Sequence, residues 1–219
     1  MRAKGGCSLL IASVFLLLYN VNIKVHFGNI NYMNEFLEEK HMKKLLIVVD
    51  YQNDFVTGSL GFEGATDLED PIAEKIQEYR NLGDEGQIIF TMDTHDKHYM
   101  ESHEGKHLPV EHCIDGEDGW QLYGKIRELK ADTDLVFSKP TFGSYELGEY
   151  LHMHKDEFES VEFVGVVTNI CVISNIAVTK AAMPHVSMIV DAKCVGSNDP
   201  EAQEAALKVM ETIHVEVRR

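Results

Sequence analysis

Three residues with complementary chemistry each follow an apolar run in this chain, namely Asp50, Lys139 and Cys171. A cysteine at the start of a helix meets unpaired amides and partial positive charge, which lower a thiol pKa and favour a nucleophilic thiolate. A partly buried acid can exchange the thiol proton, and a lysine can hold the two anions together by charge. Each residue also has an ordinary interpretation: an inert buried cysteine, a capping or metal-binding acid, and a surface lysine.

A second group of reactive side chains lies in the segment 93–119, which is rich in His, Glu and Gly and lacks hydrophobic periodicity. A loop of this length within a compact domain is usually either functional or disordered. Asp93 and His95 point the same way if the segment is extended there. The other candidates are His98, Glu101, His103, Glu104, His107, Glu111 and His112. Mixed imidazole and carboxylate ligands suit zinc, iron or manganese, and solvated surface histidines are the alternative.

Strand and helix patterns alternate along the chain from residue 43 onward. Short apolar runs predict strands at 45–49, 87–92, 135–138, 161–167 and 186–190, with an edge strand at 215–217. Helical spacing predicts helices at 67–82, 120–129, 145–154, 170–183 and 200–213. This alternation predicts an α/β fold with a mostly parallel sheet covered on both faces.

Ligands of such sheets bind beyond the carboxyl ends of the strands. Asp50 follows the first predicted strand, Asp93 and His95 follow the second, and Lys139 follows the third. The segment 168–171 follows the fourth strand and opens a helix with Cys171. We therefore expect these reactive residues to converge on one crevice.

Composition limits the remaining classes. A length of 219 residues suits one domain, and a formal net charge of −16 makes nucleic acid and anionic membranes poor partners. The four cysteines form no CxxC pair, which favours a reducing compartment and predicts a cytoplasmic protein. A small molecule is the expected partner, and homo-oligomerisation is left open.

Residues 1–42 are predicted to be an extension that precedes a domain at 43–219. Arg2 and Lys4 precede an apolar run at 9–19, which is short for a membrane span and is followed by no small-x-small cleavage site. Three interpretations stay open: a start assigned upstream of Met42 or a disordered extension, an uncleaved membrane anchor, and a cleaved signal. Any membrane contact is expected through residues 1–19.

Five ordered blocks from residue 43 onward resemble the nicotinamidases of the isochorismatase-like cysteine hydrolases. They read "LLIVVDYQNDF" (45–55), "TMDTH" (91–95), "LPVEHCIDG" (108–116), "FSKPTFGSY" (137–145) and "GVVTNICV" (165–172). The resemblance implies a three-layer α/β/α fold and a catalytic triad of Cys171, Asp50 and Lys139. It also implies a cis peptide between Val166 and Val167, and an oxyanion hole made by the amides of Val167 and Cys171.

The same resemblance implies a divalent metal, with zinc expected and iron or manganese as alternatives. Its ligands would be Asp93, His95 and His112, with Glu104 as a further ligand and His103 as a weaker candidate. Many nicotinamidases carry an aromatic residue shortly before the metal histidine, where this chain has Leu108, Pro109 and Val110. Phe55, and Phe142 or Tyr145, are predicted to line the substrate pocket instead.

The predicted activity is hydrolysis of nicotinamide to nicotinate and ammonia through a cysteine thioester, in NAD salvage. Family members that hydrolyse a vinyl ether generally lack both the cysteine and this metal set, so the resemblance favours amide hydrolysis. The alternatives are an amidohydrolase acting on an N-carbamoyl or ureido amide, a metal-binding protein without catalysis, and a membrane-tethered scaffold.

Overall fold

A computed structural model describes residues 42–219. The predicted anchor or signal at residues 1–19 lies outside the described residues. Of the helices that the structure does describe, none is long and apolar enough to cross a membrane.

The described chain contains six strands and six α-helices. The strands are β1 (Lys43–Val49), β2 (Gly86–Asp93), β3 (Leu135–Lys139), β4 (Phe158–Val166), β5 (Ser187–Gly196) and β6 (Val215–Arg218). The helices are α1 (Asn53–Val56), α2 (Glu69–Asn81), α3 (Gly124–Leu129), α4 (Tyr145–Met153), α5 (Ile173–Ala182) and α6 (Pro200–Thr212). Short 3₁₀ turns occupy Ala65–Leu68, Gly83–Glu85 and Tyr99–Glu101, and a π-helical turn occupies Thr168–Val172.

The strands form one parallel sheet in the order β3-β2-β1-β4-β5-β6, which confirms the predicted fold class. Both faces are covered, since Leu45, Ile47 and Val49 of β1 pack with residues of α4, α5 and α6. The alternate residues Leu46 and Val48 pack with residues of α2 and α3 on the other face. Burial on both faces explains why β1 reads as a continuous apolar run.

Several predicted boundaries differ from the observed ones. The helix predicted at 120–129 begins only at Gly124, because residues 118–123 form turns whose backbone bonds to Asn53, Asp54 and Tyr51. The helix predicted at 170–183 is interrupted, because the π-helical turn precedes α5. The strand β5 continues six residues beyond the predicted end at Val190, with an irregularity in its pairing to β4.

The strand order places a switch point at β1. The chain moves outward from β1 to β2 and β3, and then returns to pair β4 with the opposite edge of β1. The connections beyond the carboxyl ends of β1 and β4 therefore diverge and leave a crevice, which is where parallel sheets bind ligands.

Candidate active site

The turn that carries Cys171 follows directly from β4. Gly165 adopts a φ of +114°, and a Cβ there would lie 2.0 Å from the backbone oxygen of Val49 in the neighbouring β1. Only glycine permits that approach. The Val166–Val167 peptide is cis, as the family resemblance implied. The backbone oxygen of Val167 then accepts hydrogen bonds from the amides of Ile170 and Val172. The turn holds Cys171 at 4% exposure.

The structure brings Asp50, Lys139 and Cys171 together. The Lys139 Nζ lies 2.6 Å from Asp50 Oδ2 and 3.6 Å from Cys171 Sγ. The Asp50 carboxylate also acts electrostatically on the Cys171 thiol. Thr91 Oγ1 donates to Asp50 Oδ1 over 2.7 Å, which fixes the orientation of that carboxylate. All three groups are buried, so their charges interact with little screening by water.

Burial has the largest effect on the pKa values of Cys171 and Asp50. It raises the pKa of the Cys171 thiol well above its usual value, and the nearby Asp50 carboxylate adds to the shift more than Lys139 offsets it. The helix N-terminus was expected to lower this pKa, but burial and the Asp50 charge act in the opposite direction and the net shift is upward. Burial also raises the pKa of Asp50, against the opposing charge of Lys139. The raised pKa of Cys171 keeps the thiol neutral at rest, and the raised pKa of Asp50 makes its carboxylate a stronger base toward that thiol.

A second cluster lies next to this one. The Nε2 atoms of His95 and His112 lie 3.0 and 3.2 Å from Asp93 Oδ2. One ligand atom from each of these three buried residues falls within 4.8 Å of the others, which suits a divalent metal ion. Glu104 Oε1 lies 3.7 Å from His112 Nε2, so the structure brings this fourth candidate to the cluster as well. Lys139 Nζ lies 3.3 Å from Asp93 Oδ1 and so links the two groups.

The remaining imidazoles of the loop stay apart from this cluster. His103 is exposed and packs against the ring of His107, so the structure does not support it as a ligand. His98 is exposed and pairs with Glu101 over 3.5 Å. The loop therefore contributes His95, His112 and Glu104 to the cluster.

Charge and hydrogen bonding set the protonation of the Asp93, His112 and Glu104 side chains. Burial acts to raise the pKa of Asp93, but hydrogen bonds from His112 and His95 and the charge of Lys139 hold it well below its usual range. Burial raises the pKa of Glu104, and the Asp93 charge adds to this. Burial opposes protonation of His112, yet its hydrogen bond to Asp93 raises the net pKa. An ionised carboxylate between two imidazoles is a common donor set for zinc and iron.

Two supporting residues escaped the sequence analysis. The Gln52 side chain donates to the backbone oxygens of Asp93 and Trp120 over 2.9 and 2.8 Å, and accepts from the Asp93 amide over 2.8 Å. The ring of Tyr99 lies 4.7 Å from that of His95 and 4.9 Å from that of His112. Gln52 stands two residues after Asp50, and that proximity was the one available signal.

A cavity of about 200 Å³ adjoins both groups. Its lining comprises Phe55, Leu60, Phe62, Asp93, Glu104, Leu108, His112, Phe142, Val167, Ile170, Cys171 and Asn198. The predictions for Phe55 and Phe142 agree with this lining. Tyr145 is not among the lining residues and is 70% exposed, because it begins α4 beyond the turn that carries Phe142. A separate cleft of about 530 Å³ is lined by His95 and Tyr99 among others and does not include Cys171.

Comparisons with known proteins match this chain to one domain family. A sequence model of the isochorismatase domain matches residues 44–219. A Bacillus subtilis (strain 168) protein described as the uncharacterized isochorismatase family protein PncA is 30% identical over 142 residues, which cover 60% of this chain and 75% of that protein.

Solved structures show the same fold. The crystal structure of nicotinamidase PncA from Bacillus subtilis is 27% identical with a TM-score of 0.71, covering 81% of this chain and all (100%) of that one. N-carbamoylsarcosine amidase from Thermoplasma acidophilum is 24% identical with a TM-score of 0.67, over 81% of this chain and 96% of that one. The pyrazinamidase of Pyrococcus horikoshii, solved in complex with zinc, is 21% identical with a TM-score of 0.69, over 81% and 99%.

Proposed function

Because the chain belongs to the isochorismatase family, we propose that it hydrolyses nicotinamide to nicotinate and ammonia through a thioester on Cys171. The observation that carries this proposal is the contact among Asp50, Lys139 and Cys171 beside a small, mostly apolar cavity. A buried acid, a buried cation and a thiol in contact are costly to maintain, and such perturbed groups in a cavity favour nucleophilic catalysis.

The first half of the reaction forms the thioester. Asp50 accepts the thiol proton while the Cys171 sulfur attacks the carboxamide carbon, and the buried ammonium of Lys139 holds both anions in place. We assign the oxyanion hole to the backbone amides of Val167 and Cys171, the residues that bracket the nucleophile turn. Losing one such donor typically costs about 3 kcal/mol of transition-state stabilisation. Asp50 then returns the proton to the departing nitrogen, which leaves as ammonia.

The second half releases the acid. Asp50, now ionised again, takes a proton from water as the water oxygen attacks the thioester carbon. The carbon–sulfur bond breaks, the proton returns to the Cys171 sulfur, and nicotinate leaves. The raised pKa of Asp50 suits a group that must both accept and donate a proton.

The residues Asp93, His95 and His112, with Glu104, would hold the metal, for which zinc is our assignment from the donor set. When bound there, a zinc ion supplies Lewis acidity that can orient a ring nitrogen and lower the pKa of water. Asp93 and His112 also line the cavity, so this chain presents its candidate ligands to the substrate on the same side as Cys171.

The cavity also supports a neutral ring amide over an N-carbamoyl acid. Among its described lining residues none is Lys or Arg, so no cationic side chain of the lining is available to pair with a substrate carboxylate. An apolar cavity of about 150 Å³ holds a benzene ring, so about 200 Å³ suits one ring with a carboxamide. Phe55 and Phe142 supply aromatic surface for that ring.

The test is ammonia release from nicotinamide, compared with a panel of N-carbamoyl amino acids, by the zinc-loaded protein. We expect turnover of nicotinamide, and loss of that turnover on Cys171→Ala. Cys194→Ala is the matched control, because Cys194 is also a buried thiol but lies outside the cavity lining.

The outcomes separate the alternatives. Full activity of the Cys171→Ala protein would remove the nucleophile assignment. Ammonia from the N-carbamoyl panel alone would support the second amidohydrolase activity instead. Tight zinc binding without turnover of any amide would support the metal-binding protein.

A further inference from the structure

Asn175 lies in the first turn of α5 with no exposed surface, and its side chain joins three separate backbone groups. Its Nδ2 donates to the backbone oxygen of Cys171 over 2.8 Å and to that of Phe142 over 3.1 Å. Its Oδ1 accepts from the Ser144 amide over 3.0 Å. One buried side chain therefore connects the turn of the nucleophile to the segment that carries a wall of the cavity.

Both connected segments matter for the proposed reaction. The segment 140–144 begins immediately after Lys139, and its Phe142 ring lines the cavity while 44% exposed. At its other end, Ser144 caps α4 by accepting a hydrogen bond from the Leu147 amide. A Cβ at Gly143 would lie 3.3 Å from the side chain of Val178 of α5, so this segment packs closely on that helix.

The hydrogen bond to Cys171 has a local cause. Asn175 stands four residues after Cys171, just beyond the π-helical turn that ends at Val172, so its side chain reaches back to the Cys171 oxygen. Buried polar groups that complete such bonds hold a turn in one arrangement.

We propose that Asn175 is a positioning residue that fixes the Cys171 sulfur relative to the Phe142 wall of the cavity. The inference rests on the proposed function, since it assigns the residue a role in placing the substrate ring against the nucleophile. Asn175 reaches neither the cavity nor the Cys171 sulfur among the described contacts, so it acts through Cys171 and Phe142.

Two variants of Asn175 distinguish its hydrogen bond to Cys171 from its hydrogen bonds to Phe142 and Ser144. Asn175→Ala removes all three bonds, and we expect kcat to fall about 100-fold, the scale of a 1 Å misplacement, and KM to rise about tenfold. Asn175→Thr places a hydroxyl that can bond the oxygen four residues earlier, which is Cys171, but is too short for Phe142 and Ser144. For this variant we expect a kcat near that of the unmodified protein and the same rise in KM.

Thr179→Val is the matched control. Thr179 lies one turn further along α5, is equally buried, and its Oγ1 has no hydrogen-bond partner in the described chain. We expect kcat and KM to be unchanged, whatever its melting temperature. If Asn175→Ala does not fold, Asn175→Thr and this control still distinguish a positioning role of Asn175 from a purely structural one.

A substitution cycle with Phe142→Ala tests the route of the effect. If Asn175 acts on KM through Phe142, Asn175→Ala should cause no further rise in KM when Phe142 is already alanine. Additive KM effects, or wild-type kcat and KM in both Asn175 variants with only a lowered melting temperature, would overturn the proposal.

A substrate-independent measurement keeps this test apart from the proposed function. The rate of iodoacetamide modification of Cys171, followed by peptide mass spectrometry across pH, should change in Asn175→Ala and remain unchanged in Thr179→Val. If the unmodified protein does not hydrolyse nicotinamide, the proposed function fails while this comparison still stands. An unchanged Cys171 modification profile in Asn175→Ala would refute the positioning of the nucleophile.

Discussion

Replacing Lys139 with methionine removes the positive charge that lies between Asp50, Asp93 and Cys171. Lys139 is 1% exposed, and its ammonium lies 2.6 Å from one carboxylate and 3.3 Å from the other. Methionine retains much of the side-chain volume, so the change isolates the charge from the packing.

The magnitude follows from these distances. With an effective dielectric constant of about 20, the two attractions amount to roughly 6 and 5 kcal/mol before the cost of burying the charges. That desolvation cost offsets most of the attraction, and breaking a buried ion pair from one side costs about 3–5 kcal/mol net. We expect Lys139→Met to lower the free energy of unfolding by that amount. Asp50 should then hold its proton and cease to act as a base, and kcat/KM should fall at least about 100-fold.

The assay combines urea unfolding of chelator-treated protein with ammonia release by the zinc-loaded protein. Chelation is needed for the first measurement because a metal bound only to the folded state adds its own stability. Lys125→Met is the matched control, because Lys125 pairs with Asp70 on the surface and lies outside the cavity lining, so it should change neither measurement.

A paired substitution sharpens the test. In Asp50→Asn/Lys139→Met the carboxyl group that must take up a proton when Lys139 is absent is also removed, so about half of the lost stability should return, while activity should not recover. The reasoning is refuted if Lys139→Met unfolds at the urea concentration of the unmodified protein, or retains activity within tenfold. It is also refuted if the paired variant is less stable than the single one.

Three further predictions address other parts of the molecule. Burial and the neighbouring Glu162 raise the pKa of Tyr79 above its ordinary value of 10.0, so the unfolded chain releases this proton first and stability falls as pH rises past 10. In Tyr79→Phe, urea unfolding above that pH should show a decline shallower by about 1.4 kcal/mol per pH unit, and an unchanged slope would contradict the assignment. His112→Ala should lose tight zinc binding in competition with a coloured chelator, whereas the exposed His107→Ala should retain it; equal affinities would exclude His112 as a ligand. Deletion of residues 1–41 should leave kcat and KM unchanged if the domain is 43–219, and inactivity of the shortened chain would favour a functional extension.

Much of the fold and part of the site could be predicted because they depend on short-range patterns. The apolar β-branched run before Asp50 could form little else than a buried strand, and the rule for parallel sheets then brings Lys139 and Cys171 to the same edge. The hydrogen bonds of Gln52 and Asn175 could not be predicted, because they connect backbone groups whose approach depends on loop conformations.

The ionisation of Cys171 and the place of Tyr145 show a different limit. The helix position gave the wrong direction for the thiol pKa, because the extent of burial is a property of the whole packed crevice. Tyr145 stands three residues after Phe142, yet the capped start of α4 carries it to the surface. Composition near a motif indicates which residue types are available, whereas only the turn geometry decides which of them line the cavity.

The strand order has a consequence for how the site comes into being as the chain folds. β1, β2 and β3 follow one another in sequence and sheet, so the acid and the cation can meet before β4 arrives. Cys171 joins the site after them, because it follows β4. That strand must pair with the free edge of β1, from which it is separated by a long segment of chain. Such distant pairing is slow. After dilution from urea, ammonia release should therefore recover more slowly than the circular dichroism signal of the helices. The rate of that recovery would report the pairing of β4 with β1.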